Sequence, residues 1–509
     1  MFESQDTTPW YRSRTTIIGA SVCCAALILA LFYHFYGYRY FSDREAHYSE
    51  LERHRAQQAA LAGNEPPAPA AATAPAEQTA AADQNATAAP SQTAAQAPTT
   101  AAGSGSSAAA NGQDANHPVA PASARNYWTN FRGPNRDGRY EERAVKVNWP
   151  AGGLKPMWKQ PVGGGFSSFV VADGTAYTIE QRRKQEVAVA YNVETGRELW
   201  THGWGAEFSP DNTGDGPRST PTWDAGRLYA LGAEGELRAL DAKTGKLLWQ
   251  KNILTDNNAS NIQWGVAASP LIVDDKVVVL AGGTSGRGVV AYNKLTGAPV
   301  WKSLNDRASY TSPVLVTLAG KRQIMVVTAS RIAGLDPSDG AVLWTHPWNV
   351  SNGISISQPL VVDANRFFIS AGYGKGAALV ELSGGGRSFT TKPVWENINL
   401  KTKFNSPVAH NGHAYGLDEG ILTCIDLSTG ERKWKGGRYG YGQVLLASNH
   451  LIVTTDTGDL ALVKADPAGY AEVARFNALS GKTWNVPALA NGRLLVRNGS
   501  EMAAYNLTE

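Results

Sequence analysis

Aromatic rings and cations recur in one local setting along this 509-residue chain. Six tripeptides ending in proline (STP 219–221, ASP 268–270, TSP 311–313, SQP 357–359, NSP 405–407 and NVP 485–487) each lead into an apolar run. The position three residues before the proline holds Arg218, Ala267, Tyr310, Ile356, Phe404 and Trp484, and two looser copies supply Phe166 and Tyr441. Neighbouring loop positions add Trp264, Arg307, Lys403, Arg438 and Lys482. Flat apolar faces beside guanidinium and ammonium groups bind rather than transfer protons, as aromatic and Arg anchors do at interfaces. The chemistry expected of Phe166, Arg218, Trp264, Tyr310, Phe404, Tyr441 and Trp484 is capture of an extended peptide or another anionic, partly apolar ligand. The competing expectation is that these rings pack on one another and fill the space they surround.

No arrangement for bond chemistry accompanies them. His202, His346, His410, His413 and His450 are scattered among turns without metal-ligand spacing. GGTSGRG (282–288) and SGGGR (383–387) are Gly-rich, but neither opens a helix as a phosphate cradle requires. Cys23 and Cys24 lie in an apolar N-terminal stretch, which leaves Cys424 alone and no internal disulfide for the rest of the chain. Catalytic, cofactor-binding and metal-binding residues are therefore expected to be none. A net charge of +3 with 18% charged residues argues against nucleic acid as a partner.

A repeat must position the rings. The copies AYNVETGRELW (190–200), ALDAKTGKLLW (239–249), AYNKLTGAPVW (291–301), GLDPSDGAVLW (334–344) and CIDLSTGERKW (424–434) share an apolar run, Asp or Asn, a turn ending in Gly, and Trp. Degenerate copies are VELSGGGRSFTTKPVW (380–395) and VKADPAGYAEV (463–473). A period of about 40–50 residues is that of one four-stranded propeller blade. Each repeat reads as a strand opened by the proline, an apolar strand, a strand up to the Asp, and a strand ending in Trp. Proline is tolerated at the start of a strand. Asp241, Asp336 and Asp426 are expected to hold their own turns. The recurring Trp200, Trp249, Trp301, Trp344 and Trp434 are expected to pack between blades.

The third strand appears eight times but the fourth only seven, because the chain stops at Glu509. The missing strand stands early, in LKPMWKQPV (154–162); pairing it with GSEMAAYNL (499–507) closes a ring of eight and protects both edges. The fold class expected is all-β, an eight-bladed β-propeller of four-stranded antiparallel blades over 154–509. The proline-led loops then lie at one mouth of the central channel.

This pattern resembles the pyrroloquinoline quinone-type propeller repeat, in two groups of relatives. One is the quinoprotein alcohol dehydrogenases; the other, nearer in size, is the lipoprotein B subunit of the outer-membrane barrel assembly machinery. NFRGPNRDG (130–138) looks like a segment that often precedes such propellers. The dehydrogenases hold the quinone with calcium, between a Trp and a vicinal disulfide. The sole Cys-Cys pair here lies in the apolar N-terminal stretch, so no cofactor residue is carried over and no cofactor is expected. Both groups are exported, which implies a periplasmic C-terminal domain.

Ahead of the propeller, residues 1–16 form a tail and Ile17 to Tyr36 contain no Asp, Glu, Lys or Arg. That length and aromatic flanking fit one uncleaved transmembrane helix in the inner membrane. Arg12 and Arg14 precede it and Arg39, Arg44, Arg53 and Arg55 follow, so charge alone favours the opposite orientation to the one the resemblance implies. Residues 37–61 read as an exposed juxtamembrane helical segment. The Ala/Pro/Thr-rich stretch 62–125 reads as a disordered linker that leaves the propeller without a fixed orientation, and 126–153 as a pre-propeller segment. The function expected is a non-enzymatic scaffold for protein or peptide partners, in envelope or outer-membrane protein assembly. The alternative is a quinoprotein-type oxidoreductase with its quinone at the channel mouth.

Overall fold

The computed structural model describes residues 43–61, 127–210 and 214–508. The Asp-x-x-Thr-Gly runs fold into tight hairpins because the Asp or Asn carboxyl or amide oxygen takes the backbone N–H groups of its own turn. Asp241 Oδ1 accepts from Thr244 N at 2.9 Å, Asp336 Oδ1 from Ser338 N at 3.0 Å, and Asp426 Oδ1 from Ser428 N at 2.8 Å. The closing glycine takes positive φ, +72° at Gly245, a region side chains avoid.

Each hairpin joins the third and fourth strands of a blade. Blade 1 runs from Val170 to Gly205, blade 2 from Thr222 to Asn252, blade 3 from Leu271 to Ser303 and blade 4 from Val314 to Pro347. Blade 5 runs from Leu360 to Asn397, blade 6 from Val408 to Arg438 and blade 7 from Gln443 to Asn477. Blade 8 takes three strands from Ala488 to Asn506 and its outermost from Pro156–Pro161. Trp158 stands opposite Ala504 and Gln160 opposite Met502 in the antiparallel register that closes the ring. The expected eight blades and their closure are both present.

Three features depart from the sequence reading. The fourth strand does not end at Trp: in Glu198–Gly205 the Trp is the third residue, and the strand continues toward the next blade. Blade 7 carries a fifth strand, Arg139–Tyr140, laid parallel on its innermost strand. The helix over 43–61 is also not exposed along its length. Arg44, His47, Tyr48, Leu51, His54, Arg55 and Gln58 form one stripe turned toward the propeller, with Tyr48 and Leu51 buried. The proposed span 17–36 and the linker 62–125 lie outside the described residues. Among the described residues no helix is long and apolar enough to cross a membrane.

The recurring Trp locks most blades to the next; the outer strand of blade 7, Glu472–Asn477, has none. Trp200 Nε1 donates to Ala242 O at 3.0 Å, Trp249 to Lys294 O at 3.0 Å, Trp395 to Leu427 O at 3.0 Å and Trp434 to Asp466 O at 2.8 Å. Each acceptor lies in the following blade's turn. Trp158 does the same to Val193 O at 2.8 Å, so the early Trp is the copy that belongs to blade 8. Trp344 is the exception. Blade 5 replaces the short turn with a long hairpin, Gly376–Gly385 with Ser388–Asn397, and Trp344 instead stacks on Phe367 at 5.4 Å.

The turn glycine serves this lock as well as its own backbone. A Cβ on Gly245 would sit 2.5 Å from the Trp200 ring, whereas one on Gly226, also at positive φ, would meet nothing within 4 Å. Gly226→Ala is therefore expected to cost only the left-handed strain, about 1–2 kcal/mol. Gly245→Ala should cost about 1–2 kcal/mol more, because the ring must shift. Urea midpoints of the two variants check this, and in a Trp200→Ala background the gap should close.

Candidate functional site

The proline-led segments place their serines and threonines where blades meet. Ser168 N donates to Thr220 Oγ1 at 2.9 Å, Thr220 N to Ser269 Oγ at 3.0 Å, and Ser269 N to Ser312 Oγ at 2.8 Å. Gln358 N donates to Ser406 Oγ at 3.0 Å. The sequence offered these tripeptides only as strand starts. Their hydroxyls also make a belt from blade to blade, which fixes the loops just before it.

Residues 127–140 enter the channel from the far side. Arg132 and Arg136 are fully buried and donate to backbone carbonyls: Arg132 to Pro407 O at 3.0 Å, and Arg136 to Ser269 O and Pro313 O, each at 3.2 Å, and to Pro270 O. Burial pushes Arg132 down to about 10 and Arg136 down to about 9. NFRGPNRDG is thus a plug whose two arginines tie inner strands together. Between it and the inner strands of blades 3 to 6 lies a cleft of about 530 Å³.

At the opposite mouth the predicted residues come together. Phe166, Trp484 and Phe404 form a stack, with ring centroids 5.8 Å and then 4.8 Å apart. Tyr441 meets Phe404 edge-on at 5.0 Å and Trp484 edge-on at 6.2 Å. Trp264 and Tyr310 form a second pair at 5.7 Å. Arg218 lies over Phe166 at 5.2 Å and over Phe208 at 4.8 Å, while donating to Gly214 O and Gly216 O. Lys403 sits 4.9 Å over Tyr441 and 5.0 Å over Tyr373, and Lys482 sits 4.1 Å over Trp484.

Tyr373 and Phe208 escaped the sequence reading. Tyr373 lies in the second hairpin of blade 5, at φ +55°, and Phe208 in the loop after blade 1; neither precedes a proline. Only the ring's curvature brings them to this face. The eight rings and Arg218 are all partly exposed, so the mouth presents a surface rather than a sealed core.

The charge at this mouth is crowded. Burial pushes Arg218 down to about 10, and burial followed by the Arg218 charge pushes the Lys482 ammonium below its ordinary range. Nearby carboxylates are engaged. Asp215 meets Arg44 at 3.0 Å, Asp456 accepts from Tyr441 N at 3.2 Å, and Asp306 meets Arg331 at 3.0 Å. A site of this kind gains from an incoming anion with an apolar part.

These residues do not fit a calcium-bound quinone. Among the described residues no group of three or more His, Cys, Asp or Glu could hold a metal ion, and Cys424 is a lone buried thiol on blade 6. The rings stack on one another instead of flanking a slot.

Comparison with known proteins gives a consistent placement. The family described as outer membrane protein assembly factor BamB matches residues 183–436. BamB of Yersinia pestis is 23% identical over 299 residues, covering 54% of this chain and 70% of that protein. Quinoprotein ethanol dehydrogenase of Pseudomonas aeruginosa is 30% identical over 162 residues, covering 29% of this chain and 25% of that protein. The solved quinohemoprotein alcohol dehydrogenase of Comamonas testosteroni shares the fold: TM-score 0.51, 14% identity, 77% of this chain and 82% of that one. Relatives thus include assembly factors and alcohol dehydrogenases, so membership alone sets no activity. With eight blades built on four antiparallel strands, most of them joined through a Trp and a turn glycine, the chain belongs to the PQQ-like β-propeller family, close to BamB.

Proposed function

We propose that this chain is an inner-membrane-anchored, periplasmic propeller that acts as a non-enzymatic protein-interaction scaffold in outer-membrane protein assembly. Its aromatic mouth takes an acidic, partly apolar stretch of a partner polypeptide. The observation that carries this reading is the convergence of Arg218, Lys403 and Lys482 on the Phe166–Trp484–Phe404–Tyr441 cluster. Likeness to assembly factors supports the protein partner, and the apolar stretch 17–36 supports the anchor.

A photo-crosslinking residue at position 482 in cells, followed by identification of the crosslinked peptides, tests it. The expected adducts are Asp/Glu-rich segments with aromatic or aliphatic residues. Their yield should fall at least tenfold in a Trp484→Ala, Lys403→Ala variant that keeps its β-sheet spectrum. Unchanged yield would sink the mouth as the docking surface. Bound-cofactor absorbance and dye reduction, on adding pyrroloquinoline quinone and calcium to purified protein, would favour the oxidoreductase instead.

A further inference from the structure

The docked helix has a direction, and that direction orients the propeller. At its N-terminal end Arg44 pairs with Glu207 at 2.8 Å and Asp215 at 3.0 Å. Both belong to the loop after blade 1, whose described residues 206–210 and 214–217 also border the aromatic mouth: Phe208 lies there, and the Gly214 and Gly216 carbonyls hold Arg218. Midway, Arg183 at the mouth-side turn of blade 1 meets Glu45 at 2.6 Å and Glu52 at 2.7 Å. Toward the other end, Arg55 pairs with Glu198 at 2.6 Å and Gln58 donates to Gln160 at 2.9 Å. Gln160 in turn donates to Gly196 O, in the hairpin turn at the opposite end of the blade. From Arg44 to Gln58 a helix rises about 21 Å, which matches the length of the strand beside it.

The helix therefore runs from the mouth face to the turn face, across the seam where the outermost strand of blade 8 meets blade 1. Its anchors are specific. Tyr48 and Leu51 are buried, His47 bonds Val162 O at 2.9 Å, and Arg44 and Arg183 both lie over the Tyr48 ring.

We propose that helix 43–61 is a fixed strut that turns the aromatic mouth toward the membrane. This rests on the reading of 17–36 as the anchor. Six residues, 37–42, separate that stretch from the helix, and fully extended they reach about 20 Å. The mouth face then stands within roughly that distance of the bilayer surface. The partner it takes is an acidic, partly apolar polypeptide segment lying at the membrane surface, rather than one free in the surrounding solution.

Energy transfer to acceptor-labelled headgroups tests this, using the full chain in phosphatidylethanolamine/phosphatidylglycerol vesicles. Cys23 and Cys24 are replaced by Ala, and a donor dye is placed through Lys482→Cys at the mouth or Lys243→Cys at the opposite turns. Transfer from 482 should exceed that from 243 at least threefold. Arg183→Glu with Arg55→Glu should reduce the ratio below 1.5 with the propeller spectrum intact. For Arg183→Glu alone, Glu45→Arg with Glu52→Arg should restore the ratio. Equal transfer from both positions in a chain that floats with the vesicles overturns the orientation alone. A chain that fails to float overturns the anchor, and the orientation with it.

Discussion

Arg136→Ala is expected to lower the stability of the propeller by about 3–5 kcal/mol. The Arg136 guanidinium donates to carbonyls of Ser269, Pro270 and Pro313 and to Thr222 Oγ1, so it joins the inner strands of blades 2, 3 and 4. Removing it takes the guanidinium donor from all three carbonyls, of which Pro270 O keeps Thr222 Oγ1 at 2.6 Å, and opens a cavity. Burial pushes the group down to about 9, so it is still a cation at neutral pH. Arg136→Lys keeps the charge but not the fork, and should recover less than half of the loss. Urea unfolding of the three proteins decides the matter; a midpoint for the alanine variant equivalent to less than about 1 kcal/mol would sink it.

Glu186 should give the propeller a pH dependence of about 3 kcal/mol. Its carboxyl is buried between blades 1 and 2, accepting from Ala233 N at 2.9 Å and Trp204 Nε1 at 3.1 Å. Burial raises it to about 7 against an ordinary value of 4.5; the Ala233 bond opposes this, and Glu236 and Glu234 add to the rise. Arg218 is the cation that feels its charge. Between those two values the folded chain holds a proton that the unfolded chain has lost. The contribution is thus complete below about pH 4.5 and is lost as pH rises through 7. Unfolding free energies measured from pH 5 to 8.5 should fall across that window, and Glu186→Gln should flatten the slope. Parallel slopes for the two proteins would exclude Glu186 as the source.

Much of this architecture is legible in the sequence, because it is local. Asp-x-x-Thr-Gly encodes a hairpin through a side chain bonding its own turn, and Trp follows at a constant distance. The orphan strand at 154–162 could be matched to the orphan at 499–507 by counting alone. The partner of each Trp was less accessible. That the ring lies on the glycine of the next blade, 2.5 Å from where a Cβ would stand at Gly245, follows from blade spacing and not from the repeat itself.

The candidate site divides in the same way. Phe166, Tyr310, Phe404, Tyr441 and Trp484 share a place in the repeat, so the sequence collected them. Tyr373 and Phe208 come from other loops and were not found. The plug was visible as a motif without a role: only the channel reveals that Arg132 and Arg136 find carbonyls there. The docked helix shows the limit most clearly. Its stripe Arg44, His47, Tyr48, Leu51, Arg55 and Gln58 is mostly polar, and such a face reads as solvated until Glu207, Asp215, Arg183 and Glu198 are seen opposite it.

By itself, then, the amino-acid order determined the blade, the number of blades and the ring's closure, since each depends on short-range turn chemistry and strand periodicity. The tertiary structure decided what fills the channel, which rings touch and how the N-terminal helix lies. Those outcomes depend on pairing groups far apart in the chain, and complementary charge or shape across such a distance leaves no period in the sequence to read.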